Sequence, residues 1–490
     1  MSSQLFEMNS HIKLILSLAA LFFLIGTYGC GALKREKLVV APKEIPASFS
    51  TSDKNNKLPV LSSALEDEWW KQFGITTLDN LEKDALSNNP GIESAMHRLT
   101  QARLTERQVI AQSDPMVTGG FSSARAQSHV SSSGNNALSI RGNQFSLSAA
   151  ASYEIDIWGR LDALEKAASL DVKAVENDLF ATAMSLSSEI ASSYMEVIRE
   201  NATLRLLSRQ LDVNHTYLDL IELRFSLGLS SALDVYQQRQ QEAATRSQIP
   251  LSESRRDVLL HKIAVLTGKP PLSLKNDFPE IFPDISILPK TGLPVELLNR
   301  RPDLKSAELR IKAADERVYA AMANRYPSIK LSASSGFSSA DFGVLLEQWV
   351  WSILSEVSGS IWDGNIKKTE VDKTKARVRE LMADYSKTAL TAYKEVEDAL
   401  SLEKKQRDYI EELSAQIDLA EKSLDEAKSR YESGQTDYLR VLTALSSLQN
   451  LEINMISAQG NLVAYRIQLY RALGGGFSGN AILKRADMGE

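Results

Sequence analysis

Two long stretches of the chain contain neither glycine nor proline, and both repeat apolar residues with a helical period. They cover residues 160–227 and 365–433. In the second stretch, small or apolar residues recur at alternating spacings of three and four: Ile410, Leu413, Ile417, Ala420, Leu424, Ala427 and Tyr431. Such a heptad pattern predicts α-helices that supercoil with a left hand. At ~1.5 Å per residue, each predicted helix is about 100 Å long.

Between the predicted helices, shorter segments alternate apolar and polar residues, which is typical of β-strands. The apolar positions of the first segment are Phe145, Leu147, Ala149, Ala151, Tyr153, Ile155 and Ile157. Those of two later segments are Ile329, Leu331, Ala333 and Phe337, then Trp349, Trp351, Ile353, Val357 and Ile361, with Leu354 breaking the alternation. Long strands with one apolar side and aromatic residues near their ends are typical of transmembrane β-barrels. A soluble two-faced sheet also fits the pattern.

The chain repeats its own plan. RFSLGLSSALDV at 224–235 matches RYESGQTDYLRV at 430–441, at an offset of 206 residues. Gly228 and Gly268 have the same spacing as Gly434 and Gly474, although Pro250 interrupts the first copy. We interpret the chain as an internal duplication.

Each repeat supplies two predicted strands, so one chain supplies four. The smallest bacterial barrels have eight strands, and an open sheet edge is not tolerated in lipid. The chain is therefore predicted to contribute its strands to an oligomer, with eight strands in a dimer or 12 in a trimer.

The N-terminus has the pattern of a signal peptide. Lys13 precedes an apolar run over residues 14–29, which ends at Cys30, the only cysteine of the chain. This position resembles a bacterial lipobox, which implies that residues 1–29 are removed and that Cys30 is lipidated and sorted to the outer membrane. The alternative is an ordinary signal peptide with an incidental cysteine. Residues 30–64 are predicted to be a lipid-anchored tether.

Composition argues against several other functions. The net charge of −6 and the pI near 5.7 disfavour a nucleic-acid partner. The LGGG segment at 473–476 reads as a helix stop, because it lacks the preceding strand and following helix of a phosphate loop. The histidines show no metal-ligand spacing: His11, His97, His129, His215 and His261. We therefore predict no enzyme activity, no metal and no cofactor.

Five motifs, in this order, resemble the TolC-like outer-membrane efflux proteins, and in particular their NodT-type lipoprotein branch. They are WW at 69–70, YEIDIWGR at 153–160, LLNRRPDLKSAE at 297–308, IWDG at 361–364 and LYRALGGGF at 469–477. The resemblance implies a mainly α fold with membrane β structure. It implies a homotrimer, in which a 12-stranded β-barrel with four strands per chain is continued by a long α-helical barrel. The repeats are then residues 65–270 and 271–477, followed by a tail at 478–490.

The resemblance also implies a function, the passive exit duct of a tripartite efflux system in a Gram-negative outer membrane. The expected partners are outer-membrane lipid, a periplasmic adaptor protein and an inner-membrane transporter, which we expect to be proton-driven. The alternatives are a periplasmic lipoprotein adaptor and a coiled-coil spacer. The sequence does not identify the exported compound.

The two repeated glycine segments are the predicted periplasmic tip. Gly228 and Gly434 are predicted to end the long helices and to lie where the adaptor makes contact. Asp234 and Arg440 both lie six residues after these glycines, so in a trimer they would alternate around one ring and hold the duct closed. The family resemblance assigns such a role to Asp234.

Three further residues complete the predicted gate. Tyr431 and Leu439 are included by position, and Thr443 stands where the second repeat of the family has an acidic residue. The alternative is that Asp234 only favours a helix N-terminus and that Arg440 is a solvated surface residue. Two other departures from the family pattern, Ser360 and Asn365, concern the turn from strand to helix.

Overall fold

The computed structural model describes residue 49 and residues 68–131, 137–274, 277–285, 288–289 and 296–475. The predicted signal peptide, Cys30, all of the predicted tether except Phe49, and the tail at 478–490 lie outside these residues. In the ranges described, no helix has both the length and the apolar character needed to cross a membrane.

The same six elements occur twice in the same order. The first set is α1 (Thr76–Asn88), α2 (Pro90–Ile110), β1 (Met116–Ser131), β2 (Ala137–Ile155), α3 (Arg160–Ser226) and α4 (Ala232–Leu266). The second set is α5 (Leu297–Arg300), α6 (Pro302–Ala323), β3 (Ser328–Ser339), β4 (Trp349–Ser358), α7 (Ile366–Glu432) and α8 (Tyr438–Ala472). Helices α3 and α7 each have 67 residues, and α4 and α8 each have 35. These equal lengths agree with the predicted duplication.

Helix α4 continues through Pro250, the residue that interrupts the first copy of the repeat in the sequence. Proline removes one backbone hydrogen bond and disturbs the preceding turn. Here Thr245 before it and Ser252 after it are both buried, so packing holds the helix on both sides of the defect.

The chain divides into two compact units. One unit comprises Ala102–Val172 and Leu309–Met382 among the described residues, and it contains the whole sheet. The other comprises the described residues of Ala41–Gln101, Lys173–Glu308 and Ala383–Glu490. It contains α4, α8 and the parts of α3 and α7 that follow residues 172 and 382.

The sheet is antiparallel, with the strand order β1-β2-β3-β4. Because paired residues share a face and successive residues alternate, the register places all odd-numbered strand residues on one side. We call this side the apolar face: Val117, Phe121, Phe145, Leu147, Tyr153, Leu331, Phe337, Trp349, Trp351, Ile353 and Val357.

The even-numbered residues form the opposite side, which we call the hydroxyl face. Serine pairs cross it, with the Oγ atoms of Ser122 and Ser146 at 2.7 Å and those of Ser334 and Ser352 at 2.8 Å. Leu354, which breaks the alternation in the sequence, lies on this face. One sheet therefore presents apolar side chains to one environment and hydroxyl groups to the other.

Two predicted strands end earlier than expected, since Ile157 and Ile361 lie outside β2 and β4. The carboxylate of Asp156 accepts hydrogen bonds from the N–H groups of Arg160 and Leu161, both at 2.8 Å, and so begins α3 directly after β2. Before α7, Gly364 and Asn365 both adopt a left-handed conformation. The helix cap at Asp156 and the turn at Gly364 and Asn365 thus end the extended conformation before Ile157 and Ile361.

Phe49, a residue of the predicted tether, is buried in a core of the helical unit. Its ring stacks on Tyr393 with the centroids 5.7 Å apart. The core also includes Leu473, which directly follows α8, and residues of α5, α7 and α8: Leu297, Val396, Ala399, Leu400, Leu469 and Ala472. At least this point of the N-terminal segment packs against the helices.

Candidate functional site

The predicted ends of the long helices are confirmed. Gly228 and Gly434 lie two residues after the last residues of α3 and α7. Both glycines have a positive φ, of 73° and 74°. The N–H after each glycine reaches back into the helix, with Leu229 donating to the carbonyl of Arg224 and Gln435 to that of Arg430, both at 2.8 Å. This is the glycine-dependent helix ending that the sequence motif indicates.

Asp234 lies at the start of α4, where its carboxylate is used locally. Its Oδ2 accepts hydrogen bonds from the Ser231 N–H and the Ser230 hydroxyl, both at 2.9 Å. The Asp234 N–H in turn donates to Ser231 Oγ at 3.2 Å, which completes a capping box. These contacts are the ones that the alternative interpretation of Asp234 requires.

Leu439, Arg440 and Thr443 lie on the exposed side of α8. The hydroxyl of Thr443 donates to the carbonyl of Leu439 at 2.8 Å, within the helix. Across the residues that the structure describes, Arg440 makes no hydrogen bond or ion pair, so a single chain does not join it to Asp234. A ring of alternating charge would need contacts between chains.

Tyr431 is buried, and it connects the two helix hairpins. The guanidinium carbon of Arg224 lies 4.6 Å from the centroid of its ring, and the ring of Tyr438 lies 5.5 Å away. Around it is an apolar cluster: Leu218, Ile221, Val235, Tyr438 and Val441. Neither the hydroxyl of Tyr431 nor the buried Nε of Arg224 has a hydrogen-bond partner among the described residues.

Residues at matching positions of the two repeats have different contacts and different exposure. Arg224 and Arg430 match at the offset of 206, yet Arg430 pairs with Glu426 at 2.7 Å on an exposed surface. Phe225, which matches the buried Tyr431, is 48% exposed. Only the first-repeat arginine therefore contacts an aromatic ring in the described residues. Arg224 was not among the residues predicted from the sequence, although an arginine occurs at this position in both motifs.

Tyr438 joins the tip to a buried polar layer. Its hydroxyl donates to Gln238 Oε1 at 2.7 Å. Burial raises the pKa of Tyr438 well above its ordinary value, with smaller contributions from Tyr217, Tyr431 and Asp234. Tyr438 therefore stays a neutral donor throughout the physiological pH range.

The polar layer, which we define as Asn214, Gln238, Thr245 and Gln449, is buried between α3, α4 and α8. Asn214 donates to Thr245 Oγ1 at 2.9 Å and accepts from Gln449 Nε2 at 3.0 Å. Gln238 donates to the Asn214 carbonyl at 2.7 Å. A buried polar group without a hydrogen-bond partner destabilises the folded state. A shift of α8 along the first hairpin would break these hydrogen bonds, so the layer favours one register of α8. This layer was not predicted from the sequence, because the contacts of Asn214 are with residues of other helices.

In the part of the chain that the structure describes, no group of three or more His, Cys, Asp or Glu residues could hold a metal ion. What the described residues do offer is a sheet with one apolar and one hydroxyl face and two long helix hairpins whose tips are joined by aromatic and polar contacts. These features define a channel-forming protein of the outer membrane.

The comparisons with known proteins agree. A family model described as outer membrane efflux protein matches residues 81–269 and 293–475, and the chain belongs to this family. The pyoverdine export outer membrane protein OpmQ of Pseudomonas aeruginosa is 30% identical over 416 residues, covering 84% of this chain and 87% of that protein. The toluene efflux pump outer membrane protein TtgC of Pseudomonas putida is 29% identical over 483 residues, covering 95% and 96%.

The outer-membrane channel OprN has the same fold. Its structure superposes with a TM-score of 0.83 at 26% identity, covering 91% of this chain and 99% of that one. The predicted fold class is confirmed as mainly α with membrane β, in which each chain contributes four strands to a trimeric 12-stranded barrel. The predicted outer-membrane efflux function is also confirmed, and the alternatives of an adaptor or a coiled-coil spacer are wrong, because the family match spans both repeats.

Proposed function

We propose that this efflux channel is the passive exit duct of a tripartite system, joined by a periplasmic adaptor to an inner-membrane transporter driven by the proton gradient. The observation that carries the proposal is the sheet, whose apolar face suits lipid and whose hydroxyl face suits a water-filled lumen. The duct itself catalyses no reaction, so the energy comes from the transporter.

The cargo is a range of small molecules rather than one ligand. The relatives are named for different compounds, pyoverdine and toluene. The serine hydroxyls of the described hydroxyl face can hydrogen-bond to many kinds of compound, so they do not select between these two. A deletion strain, tested against antibiotics, dyes, detergents, solvents and metal ions, should become sensitive to several classes and recover with the plasmid-borne gene. Sensitivity unchanged across the whole panel, with the partner transporter expressed, would refute the proposal.

We further propose that Asp234 and Arg440 hold the closed tip in the trimer, together with Tyr431, Leu439 and Thr443. Support comes from their equivalent positions after Gly228 and Gly434 and from the exposure of Arg440. Exposed ion pairs contribute only about 0–1 kcal/mol each, so partner binding could overcome such a ring.

Single-channel conductance in planar bilayers tests the ring. Arg440→Ala and Asp234→Ala should both raise conductance, and high salt should narrow the difference from the parent. Asp234→Asn separates charge from capping, because the amide oxygen still accepts from the Ser231 N–H. If Asp234→Asn conducts like the parent while Asp234→Ala does not, Asp234 acts as a helix cap and the charge ring is wrong.

The adaptor is proposed to contact the helix turns at Gly228 and Gly434. Both glycines are exposed, and among the described residues a Cβ atom at either position would meet only its neighbours along the chain within 4 Å. Photo-crosslinking residues at Leu229 and Gln435 should capture the adaptor in cells. A crosslinker at Lys404, on α7 and far from the turns in sequence, is the control and should capture none.

The N-terminal assignments also stay proposals: removal of residues 1–29, acylation of Cys30 and a tether over 30–64, ahead of repeats at 65–270 and 271–477 and a tail at 478–490. Mass spectrometry of the mature N-terminal peptide should find acyl chains on Cys30. A mature chain that begins elsewhere, or an unmodified Cys30, would overturn the anchor without affecting the duct.

A further inference from the structure

The apolar face of the sheet carries aromatic side chains near the end that is farthest from the helices. Phe342, which follows β3, contacts Phe121 of β1 with the ring centroids 6.5 Å apart and Phe145 of β2 at 5.5 Å. Trp349 and Phe337 are directly paired at the same end. In an outer-membrane barrel such aromatic residues mark the boundary between hydrocarbon and headgroups. Since the helices leave from the opposite end, this boundary is the outer one.

Strands β1 and β2 continue past this boundary as a two-stranded ribbon. Pairing between β2 and β3 ends at Phe145 and Ser339, whereas pairing between β1 and β2 continues to Ser131 and Ala137. The ribbon thus includes residues 124–131 and 137–144. At about 3.3 Å per residue, it extends roughly 26 Å beyond the last row shared with β3.

The face that is apolar inside the membrane becomes cationic on this ribbon. Ser123 pairs with Phe145 in the last shared row, and the next two pairs on the same face are Arg125 with Asn143 and Gln127 with Arg141. Both arginines therefore lie on the lipid-facing side, one and two rows beyond the aromatic boundary. They are diagonal neighbours across the ribbon, at a spacing of about 7–8 Å between Cα atoms.

Neither arginine finds a counter-ion within the described parts of the chain. Arg141 Nε donates to Gln127 Oε1 at 2.8 Å, a neutral partner that orients the guanidinium. No carboxylate within the described ranges pairs with Arg125 or Arg141, and both side chains are exposed. Two cations at the headgroup level of a membrane attract anions, and here the anion would come from outside the chain.

We propose that Arg125 and Arg141 bind the phosphate groups of a phosphorylated glycolipid, lipid A, in the outer leaflet. Arginine suits this ligand, because its planar donors match phosphate oxygens in a bidentate manner. The site combines these cations with Asn143 as a neutral donor and with the aromatic residues below them for the acyl chains, and Gln127 orients Arg141. The inference rests on the outer-membrane placement of the barrel but not on the proposed cargo, adaptor or gate.

Native mass spectrometry of the detergent-solubilised trimer tests the site, with diphosphorylated lipid A and dephosphorylated lipid A as probes. The parent should bind up to three molecules of diphosphorylated lipid A per trimer and should bind the dephosphorylated form at least tenfold more weakly. The Arg125→Gln/Arg141→Gln variant should lose about 10- to 30-fold in affinity for the phosphorylated form, since each basic residue near an anionic surface contributes a factor of several.

The matched control is Lys330→Gln/Arg379→Gln, which removes the same charge elsewhere in the same unit. Lys330 lies on the hydroxyl face of β3, and Arg379 is exposed on α7. An equal loss of affinity in this control would overturn the site, because it would show general attraction by net charge. Unchanged binding by the arginine variant would also overturn it, as would competition by inorganic phosphate at the same concentration as lipid A.

Conductance of the parent protein is measured in parallel in planar bilayers. A parent that conducts but has no preference for phosphorylated lipid A refutes this inference and leaves the duct standing. A parent that binds lipid A but never conducts refutes the duct instead.

Discussion

Replacing Arg224 by alanine should open the periplasmic tip. Arg224 belongs to the first hairpin, and the ring of Tyr431, 4.6 Å from its guanidinium carbon, belongs to the second. A cation–π contact of this kind contributes about 1–2 kcal/mol when it is partly desolvated. The two hairpins must separate or slide for the tip to open, so we expect the contact to stabilise only the closed state.

The magnitude follows from the trimer. Three copies of the contact amount to about 3–6 kcal/mol, and each 1.4 kcal/mol changes an equilibrium tenfold. Losing all three should therefore shift the balance between closed and open states by a factor of 100 or more. Arg224→Ala channels should spend a visibly larger share of time in high-conductance states in planar bilayers, and cells that express them should become permeable to large antibiotics.

Variants at two matched positions sharpen the test. Arg430→Ala removes the equivalent arginine of the second repeat, whose partner is Glu426 rather than an aromatic ring, so it should conduct like the parent. Tyr431→Phe should stay closed, because the ring makes the contact and the hydroxyl has no hydrogen-bond partner within the described residues. Tyr431→Leu should open. If Arg224→Ala conducts like the parent, or if Arg430→Ala opens the channel to the same extent, the Arg224–Tyr431 contact does not hold the tip closed.

Three predictions concern stability, measured by thermal unfolding in detergent. Gly268→Ala should lower the free energy of unfolding by at least ~2 kcal/mol, because φ is positive and the new Cβ would lie 2.3 Å from the carbonyl oxygen of Asn88. Gly228→Ala has a similar φ but open space around the Cβ, so it should lower the free energy of unfolding by about 1 kcal/mol. Equal losses in the two variants would contradict the steric argument. Asn365 has a φ of 68°, so Asn365→Gly should stabilise the protein and Asn365→Ala should destabilise it by ~1 kcal/mol. A stabilising effect of Asn365→Ala would disprove this prediction. Glu82 is fully buried, and burial raises its pKa well above 4.5, so the folded state keeps a proton that the unfolded chain releases. Stability should therefore fall as the pH rises from about 4.5 towards the raised pKa, and Glu82→Gln should weaken this dependence; an unchanged pH profile would count against it.

The sequence was sufficient for the periodic features of the fold. The duplication, the two 67-residue helices and their ends at Gly228 and Gly434 follow from heptad spacing and from glycine's freedom to adopt a positive φ. The two faces of the sheet follow from alternation alone. Such features depend on residues close together in the chain, and the same local rule applies wherever the pattern occurs. The early ends of β2 and β4 were not predicted, because alternation does not report the capping by Asp156 after β2 or the left-handed turn at Gly364 and Asn365 after β4.

Contacts between distant segments required the tertiary structure. Arg224 and Arg430 occupy matching motifs, yet Arg224 lies over the ring of Tyr431 in the other hairpin, whereas Arg430 pairs with Glu426 on its own helix. Asp234 is a capping residue in the single chain, which the charge pattern could not distinguish from a gate. The polar layer around Asn214 and the cationic ribbon beyond the aromatic boundary depend on the register of pairing between segments. Register is set by the packing of whole faces, and no single segment of the sequence contains that information.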